Sequence, residues 1–428
     1  MSMKYFLNKL DNGIRVITTP IPTSESATVT VWIGVGSRSE QDKVAGLSHF
    51  IEHIVFKGSK KYPSAKAISE TIDALGAEMN AGTSKEWTNF YIKTRSANLD
   101  KAFDVLSDMV LRPLLDEREI EREKGVIIEE IAMYEDTPIY KIGDLFENLI
   151  FRGDNLGRDI IGSKETIKSL QKNDFLRYRD IHYYSDNIVV SVAGGVTQEK
   201  VRALAEKYFA DVAKTGQVEE KAFKFSEKQA KPTVLLKTKK NEQAHLIMGI
   251  TCGPRGNDRR YIEAVLSSIL GGGMSSRLFT EIRERRGLAY SIRTSIERYF
   301  ETGELATYAG VEVGKIDEAI KVMLDQYYGL GSGKYPIPDK ELSKAKEYLK
   351  GHLALSLEDS REINNLYGES ELMLARIDTL EEVFKAIDKV SKEEIVKMAQ
   401  KLFVPEKMNL AVIGPYKDET KFNKLLEN

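Results

Sequence analysis

The sequence predicts an α+β protein of two homologous domains arising from an internal duplication, each a mainly antiparallel β-sheet packed with long helices. Three observations lead there. Short alternating apolar segments bounded by turn residues read as strands. Long segments with apolar residues three and four apart read as helices. The order of these segments in the first half is then replayed in the second. The expected division is residues 1–209, a linker at 210–231, and residues 232–428.

In the first half, residues 3–20 read as two strands around Asp11-Asn12-Gly13, a hairpin signal. Val29, Val31, Ile33 and Val35 alternate as a third strand. Gly34-Val35-Gly36 lacks the third glycine of a dinucleotide loop and reads as a turn. A helix at about 45–57 follows, and Pro63-Ser64 opens another through Ile68, Ile72 and Leu75. Residues 76–95 form a hairpin. Helices are expected at about 98–111, 116–134, 137–150, 163–170, 172–183 and 197–208, with a buried strand at 187–193. Residues 210–231 are rich in Lys, Glu, Gln and Thr and read as a solvent-exposed linker.

In the second half, strands at 232–251 echo those at 3–33, and a helix at 258–270 falls where the 45–57 helix fell. Strands at 287–296 and 302–312 echo the 76–95 hairpin. A long helix from Pro338 echoes the one from Asp116. Asn409–Gly414 echoes Ile188–Gly194.

Composition narrows the function classes. Of 428 residues, 42% are hydrophobic, enough for real cores, and a net charge of −2 gives no nucleic-acid footprint. The single cysteine, Cys252, excludes an internal disulfide and a cysteine-rich metal site. The N-terminal residues lack an apolar signal-peptide core, and no run reaches the ~18 apolar residues of a membrane span. A cytoplasmic protein without membrane attachment is expected.

The chemistry-bearing stretch is His49-Phe50-Ile51-Glu52-His53. On a helix, His49 and His53 share one face, a turn apart, and can grip one metal ion. Glu52 lies beside that face, within reach of a water on the metal. This is the H-x-x-E-H pattern of inverzincins. The second half has Ser-Ser-Ile-Leu-Gly-Gly-Gly at the corresponding place, so only the first half can carry the metal. A catalytic zinc site needs three protein ligands plus a water. The Glu-rich 116–134 helix is the candidate source of the third. Glu123 and Glu130 are seven apart on one face, and Glu129 points about 100° away from Glu130.

Taken together, Gly46-Leu47-Ser48-His49-Phe50-Ile51-Glu52-His53-Ile54-Val55-Phe56-Lys57-Gly58 and Glu121-Arg122-Glu123-Lys124-Gly125-Val126-Ile127-Ile128-Glu129-Glu130-Ile131 resemble the pitrilysin/insulin-degrading-enzyme family. The resemblance is nearest to its mitochondrial-processing-peptidase-like, single-half branch and extends over the whole chain. It implies a zinc endopeptidase acting on peptides or unfolded polypeptide segments, with one Zn²⁺ per chain held by His49, His53 and Glu130. Glu52 would be the general base, and Glu123 would support a ligand histidine. Arg283 and Tyr290 match the family's Arg/Tyr pair, donors suited to a developing oxyanion. Gly271-Gly272-Gly273-Met274-Ser275-Ser276-Arg277-Leu278 is similar to the family's glycine-rich loop, though shorter. Asn80 and Ala81 match the edge strand along which the family lays its substrate. Members of this length pair to close a chamber, which implies a homodimer. In longer members the zinc lies in the first domain and the Arg/Tyr pair in the last of four. In a two-domain chain the pair would therefore serve the partner's zinc. A catalytically silent peptide-binding or assembly subunit is the alternative. His182, His245 and His352 have no partner at ligand spacing and read as structural, and Cys252 as inert core.

Overall fold

A computed structural model describes residues 4–214 and 223–427. Among the described residues the chain divides into two compact units. The first comprises Met1–Ala132, Arg158–Ala222 and Leu355–Leu380; the second comprises Met133–Gly157, Phe223–Ala354 and Glu381–Asn428.

The first unit holds strands β1 (Phe6–Lys9), β2 (Arg15–Pro20), β3 (Ser26–Ile33), β4 (Glu78–Thr83), β5 (Thr88–Arg95) and β6 (Ile188–Gly194). Their order is β1-β2-β6-β3-β5-β4. The second unit holds β7 (Thr233–Thr238), β8 (Gln243–Cys252), β9 (Ala289–Arg298), β10 (Gly303–Glu312) and β11 (Asn409–Gly414), in the order β7-β11-β8-β10-β9. Apart from the added β1, the two orders are the same. Each sheet has one parallel pair, Arg15↔Val189 through Pro20↔Gly194 and Thr233↔Asn409 through Thr238↔Gly414, and is otherwise antiparallel. The duplication read from segment order is therefore present as topology.

The units are not contiguous in sequence, unlike the division drawn at 1–209 and 232–428. Helix Ser360–Leu374 packs on β6 and β3 of the first unit, and helix Pro138–Ile150 packs on β11 and β8 of the second. Each half thus lends the other unit one helix. Asn364 shows why the loan is specific. Its buried Nδ2 donates to the Thr28 and Ser191 carbonyls, which satisfies the amide where the helix covers the sheet. In the second unit, Ile142, Phe146 and Phe151 join Tyr299, Ala306 and Ile413 in an apolar cluster.

The expected linker at 210–231 needs a correction at its end. Residues 215–222 lie outside the described residues, but Phe225 is not a solvent-facing spacer. Its ring meets Phe151 at 5.3 Å, edge to face, so aromatic burial fastens this segment to the second unit.

The helix bearing the histidines is Leu47–Ile54. Leu47, Phe50, Ile51 and Ile54 form its buried stripe, with Phe50 edge-on to Phe175 at 4.9 Å. At about 1.5–3 kcal/mol per fully buried apolar side chain, this face positions the helix and leaves the histidine face free for chemistry. Its start is set by two devices. Gly46 has φ 95°, and a Cβ there would meet the Ile161 carbonyl oxygen at 2.6 Å, so only glycine fits. The buried Glu40 carboxylate accepts from the backbone N–H groups of Gly46 (2.8 Å) and Ser48 (2.6 Å), satisfying orphan donors at the helix N-terminus. Burial pushes the Glu40 carboxyl up to about 7, against the opposing pull of the bonds to Ser48 and Gly46 and the charge of Arg158.

Asn364→Ala should cost about 1–3 kcal/mol, because it removes buried hydrogen bonds from the helix to β3 and β6. Urea unfolding reads this directly. An unchanged midpoint would mean that the exchanged helix is held by its apolar contacts alone.

Candidate metal centre

The site is assembled from residues of the first unit carried on three elements. Helix Leu47–Ile54 supplies His49, Glu52 and His53, with ring centroids of the histidines 4.6 Å apart. Helix Glu117–Asp136 supplies Glu123 and Glu130. Its buried stripe is Ile120, Glu123, Ile127 and Ile131, so Glu123 occupies a core position. Glu130 lies half-buried beside that stripe, whereas Glu129 is exposed. Strand β4, at the sheet edge, supplies Thr83.

The donor atoms converge. Nε2 of His49 lies 3.9 Å from Oε1 of Glu130, and Nε2 of His53 lies 3.5 Å from Oε2 of Glu130. Among the described residues, one group of three has ligand atoms all within 4.8 Å of one another: His49, His53 and Glu130. Two imidazoles and a carboxylate around one point are the donor set of a three-ligand zinc site.

Burial and neighbouring charges act differently on each group. Burial pushes His49 down to about 3, helped by the charge of His53, so its ring is neutral and offers a lone pair. Burial alone would also lower His53. The hydrogen bond to Glu123 and the charges of Glu130, Glu123 and Glu52 outweigh it and raise His53 instead. Glu123 runs the other way: burial would raise it, but its bonds with His53 and Lys57 hold it below the usual carboxylate range. As an anion Glu123 only accepts, so His53 donates from Nδ1 to Oε1 (3.0 Å) and keeps Nε2 free on the Glu130 side. Lys57 Nζ sits 2.7 Å from the other oxygen of Glu123. The chain Lys57–Glu123–His53 thereby fixes the ring's tautomer and orientation.

Burial raises both Glu52 and Glu130. Once Lys57 has neutralised Glu123, these two carboxylates remain beside the imidazoles of His49 and His53. A divalent cation would balance these carboxylates in their ionised form, so the donor set fits zinc.

The remaining expected site residues lie elsewhere. Asn80 and Ala81 are on β4, and the Asn80 side chain accepts from the Ala81 N–H at 2.9 Å. Arg283 and Tyr290 belong to the second unit. Arg283 falls in a π-helical turn, Phe279–Glu284, an irregularity frequent at functional sites. Its guanidinium lies 4.8 Å from the Phe279 ring and 5.1 Å from the Tyr290 ring, and Tyr290 is 76% exposed. Gly271 brings backbone close to β9, where a Cβ would meet Thr294 Oγ1 at 2.2 Å. His182, His245 and His352 each lie against a tyrosine, Tyr178, Tyr308 and Tyr348. Burial pushes the Cys252 thiol well up.

Three residues of the site had no role in the sequence reading: Glu40, Lys57 and Thr83. Lys57 and Thr83 offer no signal, because their partners are distant in sequence.

Fold and donor set together define a duplicated α+β chain with, among the described residues, one metal-type site in its first half. Known families agree. Residues 15–164 match the insulinase model (peptidase family M16), and residues 169–349 match the peptidase M16 inactive domain. The chain belongs to peptidase family M16. It is 36% identical to an uncharacterized zinc protease of Bacillus subtilis, over 94% of this chain and 97% of the relative. It is 35% identical to one of Streptomyces coelicolor, over 96% and 89%. In fold it matches a protease from Helicobacter pylori with a TM-score of 0.88 at 24% identity, covering 96% of this chain and 100% of that one.

Zinc titration separates the neighbouring acids. Glu130→Gln should weaken zinc binding most, and Glu129→Gln should leave it unchanged. Glu123→Gln should lose about 10–100-fold, the usual effect of removing a group that orients a ligand. Wild-type affinity in Glu130→Gln would move the third ligand elsewhere.

Proposed function

We propose that this protein is a zinc-dependent endopeptidase that hydrolyses peptides or unfolded polypeptide segments. The observation that carries the proposal is the convergence of His49, His53 and Glu130 on one point, with a half-buried carboxylate, Glu52, on the same short helix as the histidines. Membership of peptidase family M16 and the names of the relatives support it.

Zinc held by these three residues supplies a Lewis acid and lowers the pKa of water to near neutrality. Glu52 takes a proton from the attacking water as its oxygen bonds to the peptide carbonyl carbon. It passes that proton to the amide nitrogen as the C–N bond breaks. His53 stays in the Nδ1–H tautomer throughout because Glu123 and Lys57 hold it there. An extended substrate adds to the free edge of β4 at Asn80 and Ala81, through main-chain hydrogen bonds that tolerate many side chains. Arg283 and Tyr290 donate to the developing oxyanion and a substrate carbonyl.

We further propose that the protein works as a homodimer in the cytoplasm, and that Arg283 and Tyr290 serve the zinc site of the partner subunit. Among the described residues no helix is long and apolar enough to cross a membrane.

Glu52→Gln tests the chemistry. It should retain zinc and lose peptidase activity by about 10²-fold or more on a quenched peptide. A metal-free variant would make Glu52 a ligand; a fully active one would remove it as base. A wild-type protein that binds zinc but cleaves nothing in a mixed peptide pool would be the silent binding subunit instead.

Mixing Glu52→Gln with Arg283→Ala tests the dimer. If the pair acts across subunits, half the randomly exchanged dimers carry one intact site, and roughly a quarter of wild-type activity returns. If it acts within its own chain, the mixture stays inactive.

A further inference from the structure

The two oxygens of Glu52 are not equivalent. Thr83 Oγ1 lies 2.5 Å from Oε2 of Glu52, and the ionised carboxylate can only accept, so the hydroxyl donates. A charge-assisted O–H···O⁻ bond of this length is among the stronger side-chain contacts. Thr83 is well suited to hold a position. It ends β4, where it pairs with Thr88 in register, and its branched Cβ restricts χ1. Glu52, by contrast, reaches its place through a flexible side chain. A proton-transfer group misplaced by about 1 Å loses on the order of 10² in rate.

We propose that Thr83 is the positioning residue for Glu52: its hydroxyl ties down Oε2 and so presents Oε1 for proton transfer. This rests on the reading of Glu52 as the base. Thr83 shares β4 with Asn80 and Ala81. On that reading one rigid strand aligns the substrate backbone and orients the base, so the distance between scissile bond and base is set within a single element.

The test uses full-length, zinc-loaded Thr83→Val and Thr83→Ser. Valine keeps the branched shape without the hydroxyl; serine keeps the hydroxyl without the methyl. Thr83→Val should lower kcat about 10–100-fold, the scale for loss of a supporting partner. KM, zinc affinity and thermal midpoint should stay as in wild type, and Thr83→Ser should restore most of kcat. A wild-type kcat in Thr83→Val overturns the proposal. So does a Thr83→Ser variant as slow as Thr83→Val, or a loss confined to KM or zinc affinity. Crystal structures of the variants decide the tether without turnover. The Glu52 carboxylate should leave its position or become disordered in Thr83→Val and hold it in Thr83→Ser. An unmoved Glu52 in Thr83→Val overturns the proposal even if wild-type chain proves inactive, whereas an inactive wild-type chain with a displaced Glu52 overturns only the peptidase reading.

Discussion

The hydrogen bond from His53 Nδ1 to Glu123 ties together two helices whose bonded residues stand 70 apart in sequence. Everything at the metal centre depends on the registry it sets. Glu123 sits where an apolar residue would ordinarily complete the stripe of Ile120, Ile127 and Ile131. A lone carboxylate there would be costly, and it becomes tolerable because His53 and Lys57 both bond it. With Glu123 anchored, the seven-residue repeat of the same helix brings Glu130 opposite both Nε2 atoms. Breaking the bond would therefore free the His53 ring and also let Glu130 slide.

The short helix Leu47–Ile54 illustrates a division of labour within eight residues. Four apolar side chains fix its position, Glu40 and Gly46 fix its start, and His49, Glu52 and His53 are left for chemistry. Helices this short are marginal alone, so tertiary packing and capping must provide its stability. The second unit repeats the sheet order without such a donor cluster among the described residues. There the corresponding helix, Arg260–Gly271, buries Ser267, Ser268 and Leu270. The same architecture thus persists with and without a metal-type site, as expected when function resides in a few residues placed on a stable scaffold.

Much of this was legible in the sequence. The i, i+4 spacing of His49 and His53 follows from helical periodicity. The duplication showed in segment order because strand and turn signals recur in the same succession. Choosing Glu130 over Glu129 needed the family resemblance, since helix geometry alone left the third ligand open. Other features lay beyond reach for one physical reason: periodicity reports which face of an element is apolar, not what covers it. Nothing in Ser360–Leu374 says that it will cover β6 and β3, nor in Pro138–Ile150 that it will cover β8 and β11. Phe225 lies in the segment whose composition reads as a polar linker, and its partner Phe151 is distant in sequence. The tie between Thr83 and Glu52 joins a strand to a helix 31 residues away, and no local pattern encodes it.

The central claim is that His49, His53 and Glu130 bind one zinc ion. Anomalous diffraction from crystals of the zinc-loaded protein, recorded on both sides of the zinc edge, tests it most directly. One peak per chain is expected, about 2.0–2.2 Å from Nε2 of His49, Nε2 of His53 and a carboxylate oxygen of Glu130, with Glu123 outside bonding distance. A peak ligated by Glu123 or Glu129 in place of Glu130, or no peak between the two histidines, would contradict it.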